Sequence, residues 1–384
     1  MVMVDREDQA VYPAWRVVSV PVATVWTSPS SPRSLDAPAL AGFALGRPGS
    51  GPGERGEDKS DSGNSVKKQT DSGFLTQKRT GPGERWEQGI EAWLGAMTVP
   101  DKLDLCEANR VQTQALYGTP VLTYEEQDGW SRIAIPSQSS PKDENGYPGW
   151  IPTEQLLPIS AQEAHRLSGQ EGGASDGAAV PNAIVTASTT DLEFLSYSGK
   201  MRISFLTRLP LATEEEQGTV LGAESVIVQT PHGLARMKRA DVQVAAGDGG
   251  SPADDVGGRN KGQVIVAQAK RFLGLHYLWG GMSAWGYDCS GFAHSMHLAC
   301  GIVIPRDASV QALHGAGIPP EELQPGDLLF FAHEQGQGRV HHVGIYAGDG
   351  HMIHSPDSAS SVELISLEGY KLADEHCVSR RYWT

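Results

Sequence analysis

The chain has no apolar run approaching the roughly 18 residues that a membrane-spanning helix needs, so a helical membrane span is excluded. Cations are in short supply: 31 Lys and Arg stand against 46 Asp and Glu, a formal charge of −15. Grip on a nucleic-acid backbone comes from clustered cations that release counterions, so no nucleic-acid partner is expected. An anionic membrane or wall surface is disfavoured on the same ground, and small soluble substrates fit better. Cysteine is scarce, with four residues (Cys106, Cys289, Cys300, Cys377) and no CxxC pair. This pattern points to reduced, mostly buried thiols, one of them a candidate for chemistry. The opening MVMVDREDQAVYPAW carries neither a basic n-region nor an apolar h-region, so a cytoplasmic location is the expectation.

Glycine (45) and proline (24) are plentiful in the 384 residues, which implies many turns and at least one linker. The length suggests two or three domains. WRVVSVPVATVWTS (15–28) reads as one or two strands and stops at a Ser/Pro turn cluster. Residues 46–85 are poor in apolar side chains and repeat GPGER (51–55, 81–85) and DSG (61–63, 71–73), so an insertion without a core of its own is expected. Ile90, Trp93, Leu94 and Met97 then follow helical spacing. Short strand-like runs at 119–156 complete a first small β unit spanning 14–160. A second set covers 183–244, and residues 245–261 are a linker by composition. From 262 to 384 the pattern turns to α+β: helices at 263–274 and 288–301, then strands DLLFFAH, HHVGIYAGDG, HMIHSP and VELISL.

Cys289, in YDCSGF, opens the second of these helices, where the helix dipole and unpaired amides favour a thiolate. His342 and His354 stand twelve residues apart on consecutive strand-like runs. A hairpin would set them side by side, His342 taking the thiol proton and His354 orienting it. His341, His342, His351 and His354 also form a cluster with metal-ligand chemistry. No HExxH motif accompanies it, and a metal would leave the DCSGF context unused, so neither metal nor cofactor is expected.

Six motifs in order, HYLWGG (276–281), YDCSGF (287–292), IPRDA (304–308), LQPGDLLFF (323–331), HHVGIY (341–346) and MIHSP (352–356), resemble the NlpC-type cell-wall cysteine peptidases. VATVWTSP (22–29), QALYG (114–118) and GYPGWIP (146–152) resemble the branch that recycles cell-wall peptides, the γ-D-glutamyl-L-diamino-acid endopeptidases. The resemblance implies a papain-like catalytic domain preceded by two small SH3-like β-barrels. It implies Cys289 as nucleophile, His342 as base, His354 as third member and Tyr277 as oxyanion donor. It further implies that Asp288, Ser290 and Tyr147 hold the free amino terminus of a murein peptide, with Tyr147 lent by the first SH3-like domain. Asp307 is a polar group near the histidines or a helix cap; the following Ala308 departs from the serine found in the branch. The activity implied is cleavage of the γ-D-glutamyl-diamino-acid bond in peptides with a free N-terminal L-alanine. The rival readings are a secreted hydrolase of the intact wall, an amidase or acyltransferase on the same triad, and a wall-binding protein with a dead peptidase domain.

Overall fold

The computed structural model describes residues 12–42, 89–168, 181–196, 198–217, 224–245 and 260–383. The repeat-bearing stretch at 46–85 and nearly all of the 245–261 linker lie outside them. Alternating β-branched residues build the first unit. Strands β1 (Ala14–Val18), β2 (Val22–Trp26), β3 (Val111–Leu116), β4 (Pro120–Gln127), β5 (Trp130–Ile135), β6 (Tyr147–Pro152) and β7 (Leu156–Pro158) form one antiparallel sheet, in the order β3-β2-β6-β5-β4-β1-β7. Val25, Val121, Ile133 and Ile151 fill its core.

The helical run after residue 89 divides into two helices, Gly89–Ala96 and Val99–Glu107. Thr98 is the reason: its hydroxyl caps the second helix by accepting from Asp101 N, and Pro100 occupies the first turn, where its missing N–H costs nothing. Trp93 and Leu105 from these helices pack with Trp26, Val111 and Leu278.

The second β unit has two sheets. β8 (Asn182–Val185), β11 (Arg208–Pro210) and β14 (Val242–Ala245) form one. β9 (Thr189–Phe194), β10 (Lys200–Ser204), β12 (Ser225–Thr230) and β13 (Gly233–Lys238) form the other. A turn with Leu206 at φ 67 cuts the apolar run at 201–213 into β10 and β11.

The last unit is α+β. Helices Lys261–Lys270 and Cys289–Leu298 pack on a six-stranded antiparallel sheet, with the hairpin of β15 (Met282–Ser283) and β16 (Gly286–Tyr287) leading into the second helix. The sheet order is β17-β22-β18-β19-β20-β21. Its strands are β17 (Ala316–Gly317), β18 (Leu328–Ala332), β19 (Val340–Gly348), β20 (His351–His354), β21 (Glu363–Ser366) and β22 (His376–Arg381). β22 gives no alternating signal in HCVSRR, yet it inserts between β17 and β18. Among the described residues no helix is long and apolar enough to cross a membrane.

β3 joins the first unit to the last. Gln114 Oε1 accepts from the Met282 amide at 3.1 Å and from the Ser283 hydroxyl at 3.2 Å. Trp279 Nε1 donates to the Val111 carbonyl at 3.1 Å. These bonds are buried or nearly so, which fixes the first unit against the loops around Cys289.

Candidate active site

Cys289 is the first residue of its helix. Asp288 is the cap, accepting from Gly291 N at 2.6 Å. The cap requires glycine at 291, because a Cβ there would stand 2.3 Å from the Gly281 carbonyl oxygen. The thiol accepts from the backbone amides of Val343 and Ser290, which pins the helix start to β19 beside His342. The helix end alone favours a thiolate, but burial and the neighbouring Asp288 charge reverse that expectation and push the thiol up to about 12.

Sheet register brings the histidines together. Ile345 pairs with Ile353, which sets His354 beside Gly344 and on the same face as His342. Glycine is needed at 344: a Cβ there would meet Met352 Sδ at 2.2 Å and His354 Cβ at 3.2 Å. His342 Nε2 and His354 Nδ1 are 2.7 Å apart, and both rings are buried. His354 Nε2 lies 3.2 Å from Glu363 Oε1, and these two residues are cross-strand partners. A carboxylate only accepts, so Glu363 places the proton on His354 Nε2. His354 Nδ1 then accepts from His342 Nε2–H, and His342 Nδ1 keeps its lone pair. Burial, with His354 adding to it, holds the His342 imidazole well below its ordinary range.

Tyr277 is buried within electrostatic reach of Cys289 and Asp288. Burial raises that phenol well above its usual range, so it stays a donor. Asp288 is engaged by a residue that sequence reading missed. Arg306, 1% exposed, donates Nη2 to Asp288 Oδ2 at 2.6 Å and Nη1 to Oδ1 at 3.1 Å. Nη1 also reaches Ser290 Oγ at 2.9 Å, and Nε reaches Thr113 Oγ1 of β3 at 2.9 Å. The Asp288 charge is therefore balanced within the protein.

Asp307 stands at the cap position of the short helix Ala308–Gln311 without making a cap bond. Its carboxylate instead accepts from the Tyr147 hydroxyl at 2.9 Å, which joins β6 to the catalytic unit. Lys142 completes this group. Its Nζ donates to Tyr147 Oη at 2.5 Å and to Gln112 Oε1 at 3.0 Å, lies 3.5 Å from Asp307 Oδ2, and sits 4.3 Å over the Tyr147 ring. Tyr147 in turn feels the charges of Arg306 and Asp288, so the group borders the one around the thiol.

The four-histidine cluster is divided. His342 and His354 pair with each other, His341 turns to Glu375 at 2.6 Å, and exposed His351 bonds to the Asp349 carbonyl. Of the other thiols, Cys300 is buried, whereas Cys106 and Cys377 are only half-buried. Glu363, Arg306 and Lys142 escaped sequence reading. Glu363 is visible only through its strand register, and Arg306 only through the fact that IPRDA precedes a polar helix.

Residues 274–381 match the NlpC/P60 family, and residues 107–156 match the bacterial dipeptidyl-peptidase Sh3 domain. A γ-D-glutamyl-L-lysine dipeptidyl-peptidase of Bacillus cereus is 34% identical over 371 residues, 95% of this chain and 90% of that protein. The protein of the same name from Bacillus subtilis is 38% identical over 295 residues, 76% of this chain and 88% of its own. A crystal structure of an NlpC/P60 family protein from Bacillus cereus superposes with a TM-score of 0.75 at 31% identity, covering 97% of this chain and all of that one.

Proposed function

Because the chain belongs to the NlpC/P60 family of cysteine peptidases, we propose that it hydrolyses the γ-D-glutamyl-diamino-acid bond of murein peptides whose N-terminal L-alanine is free. One observation carries the choice of a free amine. The polar group beside the thiol, Tyr147 with Asp307, already holds an ammonium, that of Lys142. A hydroxyl, a carboxylate and a ring face are what a desolvated peptide amine requires. The names of the two Bacillus relatives support the same bond type.

In this reading the substrate amine displaces Lys142 and binds Tyr147 and Asp307. Asp288 and Ser290, held by Arg306, line the path to the thiol. His342 Nδ1 takes the thiol proton as Sγ attacks the γ-carbonyl of D-glutamate. His354 and Glu363 stabilise the imidazolium that forms. Tyr277 and the Cys289 amide donate to the oxyanion. His342 then protonates the leaving amine of the diamino acid, and water, activated by the same imidazole, hydrolyses the thioester. The site of action proposed with this substrate is the cytoplasm; activity confined to the wall fraction of lysed cells argues against it.

The test is hydrolysis of L-alanyl-γ-D-glutamyl-L-lysine and of its diaminopimelate counterpart, each with a free or an acetylated amino terminus. Cleavage of the free peptides alone, lost in Cys289→Ala, is the expected result. Equal cleavage of acetylated peptides or intact sacculi overturns the assignment in favour of wall hydrolysis.

A further inference from the structure

Outside the catalytic group, one set of side chains has an arrangement that peptidase chemistry does not use. His333, His341 and Glu375 each offer one ligand atom, and these atoms all lie within 4.8 Å of one another. Among the described residues they are the only such grouping of His, Cys, Asp and Glu. His341 Nε2 is 2.6 Å from Glu375 Oε2, and the His333 and His341 rings stack at 4.1 Å between centroids, 11° from parallel.

The three residues come from three places in the chain that backbone irregularities bring together. The β18–β19 pairing shifts register between Phe331 and Ala332, which takes His341 out of the alternation that seats His342. The β18–β22 pairing shifts between Phe330 and Phe331, just below Glu375. His333 opens a loop in which Glu334 and Gln335 both take left-handed conformations, at φ 56 each. Each non-glycine residue in that region costs about 1 kcal/mol or more. The loop is nonetheless tied down at His333, whose carbonyl accepts from Gly338 N at 2.8 Å and whose amide donates to the Arg339 carbonyl at 3.2 Å.

We propose that His333, His341 and Glu375 bind a divalent transition metal of the zinc class, separate from the thiol chemistry. Two imidazoles and one carboxylate are borderline ligands that suit zinc, whereas calcium and magnesium take oxygen alone. A tetrahedral zinc ion, with bonds of about 2.0–2.2 Å, sets its ligand atoms roughly 3.3 Å apart, so small side-chain rotations close the site. His333 is exposed and the other two are half-buried, which leaves an entry path and room for water in the fourth position. The site is therefore open and its metal exchangeable.

The experiment titrates Zn²⁺, and Co²⁺ as a spectroscopic probe, into the full chain carrying Cys289→Ala. Calorimetry gives the stoichiometry, and thermal unfolding gives the stabilisation that mass action confers on a metal-binding fold. The expected result is one Zn²⁺ per chain and a raised Tm. Both should be lost, with at least tenfold weaker binding, in His333→Ala and in Glu375→Gln. His333 is exposed, so its truncation spares the core; unchanged circular dichroism checks this. Equal stoichiometry and Tm shift with and without His333 overturn the proposal. So does a thiolate-to-cobalt charge-transfer band in the wild-type chain that vanishes in Cys289→Ala, if no second site remains. The outcome is independent of whether the murein peptides are cleaved.

Discussion

In the proposed mechanism Glu363 sets the direction of proton flow. Its carboxylate fixes the His354 tautomer and, through it, the lone pair on His342. Glu363→Gln can present an amide N–H to His354 and reverse the chain; kcat should fall by about 10- to 100-fold with KM little changed. Steady-state kinetics on the free tripeptide measures this, and an equal rise in KM argues against a tautomer role. Burial keeps His342 unprotonated well below the ordinary imidazole range. Protonation of the base is what stops the reaction, so the acid limb of kcat/KM should lie below pH 6.5, the usual imidazole value. A limb at or above 6.5 in the pH–rate profile contradicts this. Lys142 is the third residue-scale test. Its ammonium occupies the group proposed for the substrate amine, so Lys142→Met should lower KM for free-amine peptides by about fivefold, a gain of roughly 1 kcal/mol. A raised KM instead makes the lysine a substrate contact.

At the scale of the element, the nucleophile helix depends on what caps it. Asp288 satisfies the Gly291 amide and is itself held by Arg306, which also spans to Ser290 and to Thr113 on β3. Arg306→Met removes a buried cation and leaves Asp288 buried with its charge unmatched. The cost should be about 3–5 kcal/mol, read as a lower midpoint in urea unfolding. The residual folded enzyme should also lose kcat, because the cap and the thiol share one turn. Sequence periodicity located this helix and placed Cys289 at its start. It did not show that IPRDA folds back over the turn, because the Arg306–Asp288 bond joins positions eighteen residues apart, and the connection after the helix, from Ala299 to Arg306, carries no periodic signal. Nor did it find β22, whose HCVSRR lacks alternation because the strand is interior to the sheet but packed unevenly on its two faces.

Across the whole molecule, buried histidines tie stability to pH. His294 and His297 are fully buried, with pKa values lowered by burial to about 4. Unfolded, each binds a proton near pH 6.5, so between 6.5 and 4 the unfolded chain carries more protons than the folded one. Stability is therefore intact above about 6.5 and falls with decreasing pH, by roughly 1.4 kcal/mol per unit for each histidine. Tm measured from pH 7 to 4.5 should fall steadily. His294→Asn and His297→Asn should each flatten the slope, and an unchanged slope in both variants argues against this origin.

The sequence alone carried the α+β class of the catalytic unit, the all-β units before it, Cys289 at a helix start, and His342 and His354 on neighbouring strands. Each of these is a local matter, resting on periodicity, turn residues and short motifs whose side chains sit on neighbouring strands or at a helix start. The helix end favours a thiolate, and burial, a property of the whole packed unit, acts on the thiol in the opposite direction. Glu363 behind His354, Arg306 on Asp288, and the meeting of Tyr147, Lys142 and Asp307 arise only in the tertiary structure. Those contacts join residues from separate strands and units, and a contact across distant segments is decided by how their cores pack together, which no local pattern encodes.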